Sequence, residues 1–183
     1  MNEAIPPLGS PRIRRATPAD APAVLAIYAP IVATTAISFE TTPPGEVEVA
    51  ARIESANATH AWLVAEADGV IAGYAYAMPH RARQAYRYST ETSVYVHADH
   101  HGRGVGAALY RRLFADLVQR GYFHAFAGIT LPNGASTALH ASAGFRHVGT
   151  FPRVGFKFGQ WHDVSWWHRA LRAGVPSEKE SGR

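Results

Sequence analysis

Apolar and polar positions in this chain alternate with two different periods, and the switches between them mark its elements. In "AWLVAEADGVIAGYAYAMP" two strand-like runs flank Asp68-Gly69, a dipeptide suited to a two-residue turn, so residues 61–79 are predicted to form a β-hairpin. Across 104–120 the period becomes helical: Val105, Leu109, Leu113 and Leu117 share one face, and Gly121 supplies a stop. Residues 12–16 read as a first strand. "TPAD" then starts a helix, with Thr17 as N-cap, Pro18 at the first helical position and Asp20 at the third. Pro30 has no N–H to donate and is expected to end or kink that helix near Ala29. A second helix is expected at 46–56, after "PPG".

Strands are predicted at 91–96 and 124–129, with the polar loop "HRARQAYRY" before the first of them. A short helix at 136–143 is ended by Gly144. Two last strands, 145–150 and 163–171, are expected to be joined by a Gly/aromatic loop. No repeat or linker interrupts this order. It predicts an α/β fold in one domain over 12–172, a mixed central β-sheet flanked by helices. The ends, 1–11 and 173–183, read as disordered; the tail "VPSEKESGR" is polar and charged.

Composition narrows the chemistry. A chain of 183 residues can build a core without staples, and it contains no cysteine, which excludes disulfides, Cys-type zinc sites and a thiol nucleophile. The net charge of +4 is mild and the basic residues are scattered, which argues against nucleic acid and for small anionic ligands. The N-terminus lacks an apolar signal core, and the most apolar stretch, "APAVLAIYAPIVATTAI", carries two prolines. Neither a leader nor a membrane span is expected, and the cytoplasm is the default location.

The joint "VYVHADHHGRGVGAALYRRL" carries the sharpest signal. Strand, glycine-rich loop and helix is the geometry that aims free backbone N–H groups and a helix dipole at an anion. The same glycines also suit an ordinary turn. A Rossmann reading fails because "HAFAGI" ends without an acidic residue for a ribose, and a P-loop reading fails for want of Gly-Lys-Ser/Thr. His97, His100 and His101 lack the spacing of a metal motif and read as loop histidines, so no metal is expected.

With the loop His101-Gly102-Arg103-Gly104-Val105-Gly106 and the downstream "NGASTALHASAGF", the chain resembles the GCN5-related N-acetyltransferase (GNAT) superfamily. Within it, "SFETTP", "YAYAMPHRARQAY", "ETSVYV", "LPNGASTALHASAGF" and "GFKFGQWHDV" resemble the phosphinothricin/methionine sulfoximine acetyltransferases. The likeness runs over about 13–171. His101 stands where that family usually has Gln or Arg.

The resemblance implies the GNAT fold and acetyl-CoA as co-substrate. It implies a cofactor site made by Val94, Tyr95 and Val96, by residues His101, Gly102, Arg103, Gly104, Val105, Gly106 and Ala107, and by Asn133 and Ser136. Glu91 matches the family's catalytic carboxylate, a general base for the substrate ammonium. His140 matches a second base, or the acid that protonates the thiolate. By position alone, Glu91 reads as a strand-end carboxylate, His140 as a surface helix histidine and Asn133 as a helix cap. Arg83 and Tyr86 match an Arg-x-x-Tyr pattern, with Arg83 suited to grip a carboxylate or phosphinate. Phe39, Lys157 and Trp161 are further candidates for the substrate wall, although Phe39, Phe156 and Trp161 equally suit core or interface positions.

The expected activity is therefore N-acetylation of a small α-amino acid analogue by direct attack in a ternary complex, since no cysteine can carry an acyl group. A GNAT enzyme for a polyamine or a protein N-terminus, and a non-catalytic acyl-CoA-binding module, are the alternatives. The resemblance also implies a homodimer, with neither nucleic acid nor membrane as partner.

Overall fold

The computed structural model describes residues 11–177. The disordered flanks expected at the ends lie, for 1–10 and 178–183, outside the described residues. Seven strands and four helices follow in the order β1 (Arg12–Arg15), α1 (Ala21–Thr34), α2 (Glu46–Thr59), β2 (Ala61–Ala67), β3 (Val70–Pro79), β4 (Ser89–Val96), α3 (Val105–Gln119), β5 (His124–Thr130), α4 (Gly134–Ser142), β6 (Arg146–Lys157) and β7 (Gln160–Ala170). They build one mixed sheet in the order β1-β2-β3-β4-β5-β7-β6, in which only β4 and β5 run parallel.

The alternation seen in the sequence sends side chains to two cores. On one face Leu63, Ala75, Ala125 and Ala127 pack beneath α3, whose Leu109, Leu113 and Leu117 are fully buried. On the other, Trp62, Val64 and Tyr74 meet Val24, Ile27, Val32, Val49 and Ile53 of α1 and α2. Burying such side chains is worth about 1.5–3 kcal/mol each, and it fixes strand register, because a slip of one residue would reverse the faces. No helix among the described residues is long and apolar enough to cross a membrane.

Two expectations are corrected. Helix α1 runs through Pro30 to Thr34. Buried Val24, Ile27 and Tyr28 before the proline and Val32 after it hold both halves on the sheet, and that packing outweighs one missing hydrogen bond. The Gly/aromatic loop is in fact the outer half of a long hairpin, turned by Phe158-Gly159 at φ 52° and 74°. Register shifts between His147 and Gly149 and between Phe151 and Gly155 break the alternation there, so the sequence does not read as strand. Asp68-Gly69 makes the expected hairpin turn with the same pair of positive φ angles, 53° and 81°.

One irregularity positions the site. Strands β4 and β5 pair at only three positions, Ser89 with His124, Thr90 with Ala125 and Glu91 with Phe126. Beyond Glu91, β4 stays bound to β3 as far as Val96, and β5 stays bound to β7 as far as Thr130. The two strands therefore part, and each turns an unpaired backbone edge into the gap.

The β3 side of β4 is packed too closely to give way. A Cβ at Gly73 would lie 2.8 Å from the Tyr95 carbonyl oxygen and 3.2 Å from both Val105 Cγ1 and Val96 Cα. Gly73→Ala is expected to destabilise the fold by about 1–3 kcal/mol, read as a lower urea midpoint at unchanged slope; an unchanged midpoint would show that β4 is not held this tightly.

Candidate active site

Chain direction brings three features to the gap. Strand β4 ends at Val96, the glycine loop follows, and α3 then starts with its N-terminus beside that strand. Gly102 and Gly104 take φ of 72° and 76°, and neither has an atom within 4 Å of where a Cβ would stand. The loop surface is open as well as glycine-dependent. None of the backbone amides from Gly102 to Ala107 has a hydrogen-bond partner among the described residues; the first helical bond runs from Ala108 N to Gly104 O, 3.0 Å. Free donors at a helix N-terminus, with the helix dipole behind them, are suited to an anion. Gly106 serves another purpose: a Cβ there would meet Leu139 Cδ2 at 2.8 Å, so its absence lets α4 pack against α3.

The loop's own side chains divide. His101 donates from Nε2 to the Val96 carbonyl at 2.9 Å, which ties the loop to the end of β4 and explains how histidine is accommodated. Arg103 has no side-chain partner among the described residues. The edge donors come from a strand whose side chains point elsewhere, since Val94 and Val96 pack toward α3 and Tyr95 stacks on Tyr74. His97 and His100 stay in the loop, and no group of three or more His, Asp or Glu among the described residues is placed to hold a metal ion.

His140 is buried and both of its nitrogens are engaged. Nδ1 lies 2.7 Å from the Ser136 carbonyl, which can only accept, so Nδ1 carries the proton. Nε2 then accepts from the Tyr110 hydroxyl at 2.7 Å. Burial lowers the His140 pKa below its ordinary value, which agrees with a neutral ring. Burial likewise raises Tyr110, opposed by the hydroxyl of Thr92 nearby. Thr92 is the first residue of β4 beyond the last β5 pair, and its hydroxyl donates to the Phe126 carbonyl at 3.2 Å. The imidazole thus reaches the gap through Tyr110, a residue of α3 that nothing in the sequence pattern singles out.

Glu91 occupies the last position of β4 paired with β5, and burial raises its pKa above its ordinary value, opposed by the charge of Arg81. Beside it lies His80, with Nδ1 3.6 Å from Glu91 Oε2 and a ring stacked on Phe126 at 4.4 Å. Tyr86 approaches His80 edge-on at 6.0 Å. Arg83 is exposed at the start of a single 3-10 turn and has no side-chain partner among the described residues. It is Arg81, two residues earlier, whose charge reaches Glu91. His80 and Arg81 stand within the quoted loop motif, but nothing in its spacing singled them out.

The outer candidates part company. A cavity of about 410 Å³ is lined by Ile37, Thr130, Leu131, Trp161 and His162, so Trp161 reaches an open space near the end of β5. Phe39 lies against the backbone of Gly155, where a side chain would collide with its ring. Lys157 does not reach a substrate wall. Its ammonium is buried and donates to the carbonyls of Val32, at 2.7 Å, and Ser38, at 2.8 Å, so it closes the C-terminal end of α1. Asn133 caps α4, accepting from Ser136 N at 3.0 Å through Oδ1, and its amide nitrogen has no partner among the described residues.

Residues 31–145 match the model of the acetyltransferase (GNAT) family. The chain belongs to that family. A relative from Streptomyces viridochromogenes, named phosphinothricin N-acetyltransferase, is 39% identical over 164 residues, 90% of each chain. The L-methionine sulfoximine/L-methionine sulfone acetyltransferase of Pseudomonas aeruginosa is 36% identical over 158 residues, 85% of this chain and 92% of that one. The solved structure of a GNAT superfamily phosphinothricin acetyltransferase from Sinorhizobium meliloti, in complex with acetyl-CoA, superposes with a TM-score of 0.88 at 33% identity. It covers 93% of this chain and 95% of its own.

Lys157→Met is expected to strand two carbonyls and cost about 2 kcal/mol, measured by chemical denaturation. Wild-type stability in that variant would return Lys157 to the list of ligand-facing groups.

Proposed function

We propose that this GNAT protein is an acetyl-CoA-dependent N-acetyltransferase for a small α-amino acid analogue of the phosphinothricin or methionine sulfoximine type. The observation that carries the reading is a half-buried carboxylate with a raised pKa, Glu91, placed where β4 loses its partner and a row of free amides begins. Relatives named for these two substrates support the substrate class.

The residues fit the co-substrate. Amides 102–107 suit its diphosphate, and the unpaired edge of β4 past Glu91 suits the amide-bearing arm, as an added strand would. A β4 backbone N–H facing the thioester carbonyl would stabilise the developing oxyanion. The acceptor arrives as an ammonium and must lose a proton before it can attack. Glu91 takes that proton, and its raised pKa makes it a better base than an exposed carboxylate. The nearest positive charge, Arg81, with Arg83 at the loop edge, suits the acceptor's carboxylate or phosphinate. His140 and the Tyr110 hydroxyl bonded to it are the candidate acid for the leaving thiolate.

The exposed aromatics of the β6–β7 hairpin, Phe151, Phe156, Phe158 and Trp161, form an apolar end suited to a second copy of the chain, and we read the protein as a cytoplasmic homodimer. Its oligomeric state is read directly by light scattering, and a strict monomer would remove the dimer from the account.

Glu91→Gln is expected to lower kcat about 10²–10⁴-fold in a thiol-release assay with phosphinothricin or methionine sulfoximine, and to leave the calorimetric affinity for coenzyme A unchanged. Wild-type turnover by that variant would remove Glu91 from its role. In the wild-type enzyme kcat falls as pH drops through the raised Glu91 pKa, because the protonated carboxyl cannot accept. That acidic limb is absent from residual Glu91→Gln activity; a limb that persists there belongs to another group.

A further inference from the structure

We propose that His80 is the proton exit of the site, a positioning residue that empties Glu91 after each turnover and passes the proton to solvent. The inference rests on the reading of Glu91 as base given above and extends it to a residue that reading does not use.

The placement is specific. His80 follows directly on β3, whose Met78 pairs with Glu91 across the ladder, so the backbone sets the imidazole beside the carboxylate. Nδ1 is fully buried and without a hydrogen-bond partner, which is costly for a polar atom, and it lies 3.6 Å from Glu91 Oε2. Nε2 also has no protein partner among the described residues, but it is not among the buried unpartnered atoms, so it touches solvent. The ring therefore has one nitrogen toward the carboxylate and one toward water. Its plane is set by the stack on Phe126, 4.4 Å away and 14° from parallel, with Trp166 edge-on at 6.0 Å.

Stoichiometry gives this arrangement its purpose. An ammonium and a thioester yield an amide, a thiol and one free proton. The N–C bond forms, the C–S bond breaks, and the sulfur keeps the electron pair and one of the two protons lost by nitrogen. The other proton stays on Glu91 and must leave before the next cycle. His80 Nδ1 accepts it from Oε2 and Nε2–H releases a proton to water; the neutral ring then loses its Nδ1 proton and gains one at Nε2 by exchange with solvent, which restores the starting tautomer. Transfer needs the 3.6 Å separation to close to roughly 2.6–3.2 Å, as occurs when an empty site fills. Burial raises Glu91 and lowers His80, so the proton affinities of the two groups converge. The titratable and charged groups around His80 are Glu91 on β4, Arg81 beside it, Tyr86 on the loop turn, and His168 of β7 on the far side of Phe126.

His80→Phe keeps a flat ring on Phe126 and removes both nitrogens. At low buffer concentration its kcat is expected to fall about tenfold with KM for acetyl-CoA unchanged, and added imidazole is expected to restore it. Wild-type kcat, or a loss that imidazole does not repair, overturns the relay. A second readout needs no turnover: the imidazole pKa of His80, followed by NMR, is expected to drop in Glu91→Gln, which removes the neighbouring anion. An unchanged titration overturns the pairing. A wild-type protein that releases no thiol overturns the acetyltransferase reading and the relay with it, whereas failure of the His80 tests in an active enzyme overturns the relay alone.

Discussion

The structure depends on where two parallel strands stop pairing. Three residue pairs hold β4 to β5, and past Glu91 each strand is carried away by its other neighbour. An unpaired edge inside a sheet is costly, because backbone donors and acceptors need partners. Here the defect is held open by rigid surroundings. β4 is fixed by close backbone approach at Gly73, Thr92 bridges to the Phe126 carbonyl at the point of parting, and Gly106 lets α4 sit against α3. The acetyl-CoA site we propose uses that opening, with the glycine-loop amides at its far end.

Burial sets the protonation of the groups around the opening. The same desolvation raises Glu91 and Tyr110 and lowers His140 and His80, each shift favouring the uncharged form of its group. The hydrogen bonds then assign protons. His140 has Nδ1–H committed to Ser136 and accepts from Tyr110, whereas His80 has its buried nitrogen uncommitted. Two histidines beside one opening are therefore prepared for different tasks, one held in a closed chain and the other free to change its proton.

Much of this was legible in the sequence, for physical reasons. The α/β order, the Asp68-Gly69 turn and the strand-loop-helix joint follow from periodicity and from backbone angles that few residues tolerate. Helix α1 passed through Pro30 because packing on both sides of the proline decides the matter, and no local rule contains that packing. The outer half of the β6–β7 hairpin was missed because its bulges break the alternation that would have marked it. Lys157 read as a candidate for the substrate wall because its two carbonyl partners lie more than a hundred positions away in the chain. His80 and Tyr110 gave no sign of their neighbours either, since sheet register and helix packing create those contacts. What local chemistry dictates could be read, and what the tertiary fold brings together could not.

Hydrogen exchange with and without coenzyme A tests the central claim most directly. The account predicts that the ligand slows exchange at the amides of residues 102–107 and along β4 beyond Glu91, while β1 and α2 are unchanged. Binding that leaves both segments exchanging as fast as in the free protein would contradict it, because the ligand would then lie outside the opening between β4 and β5.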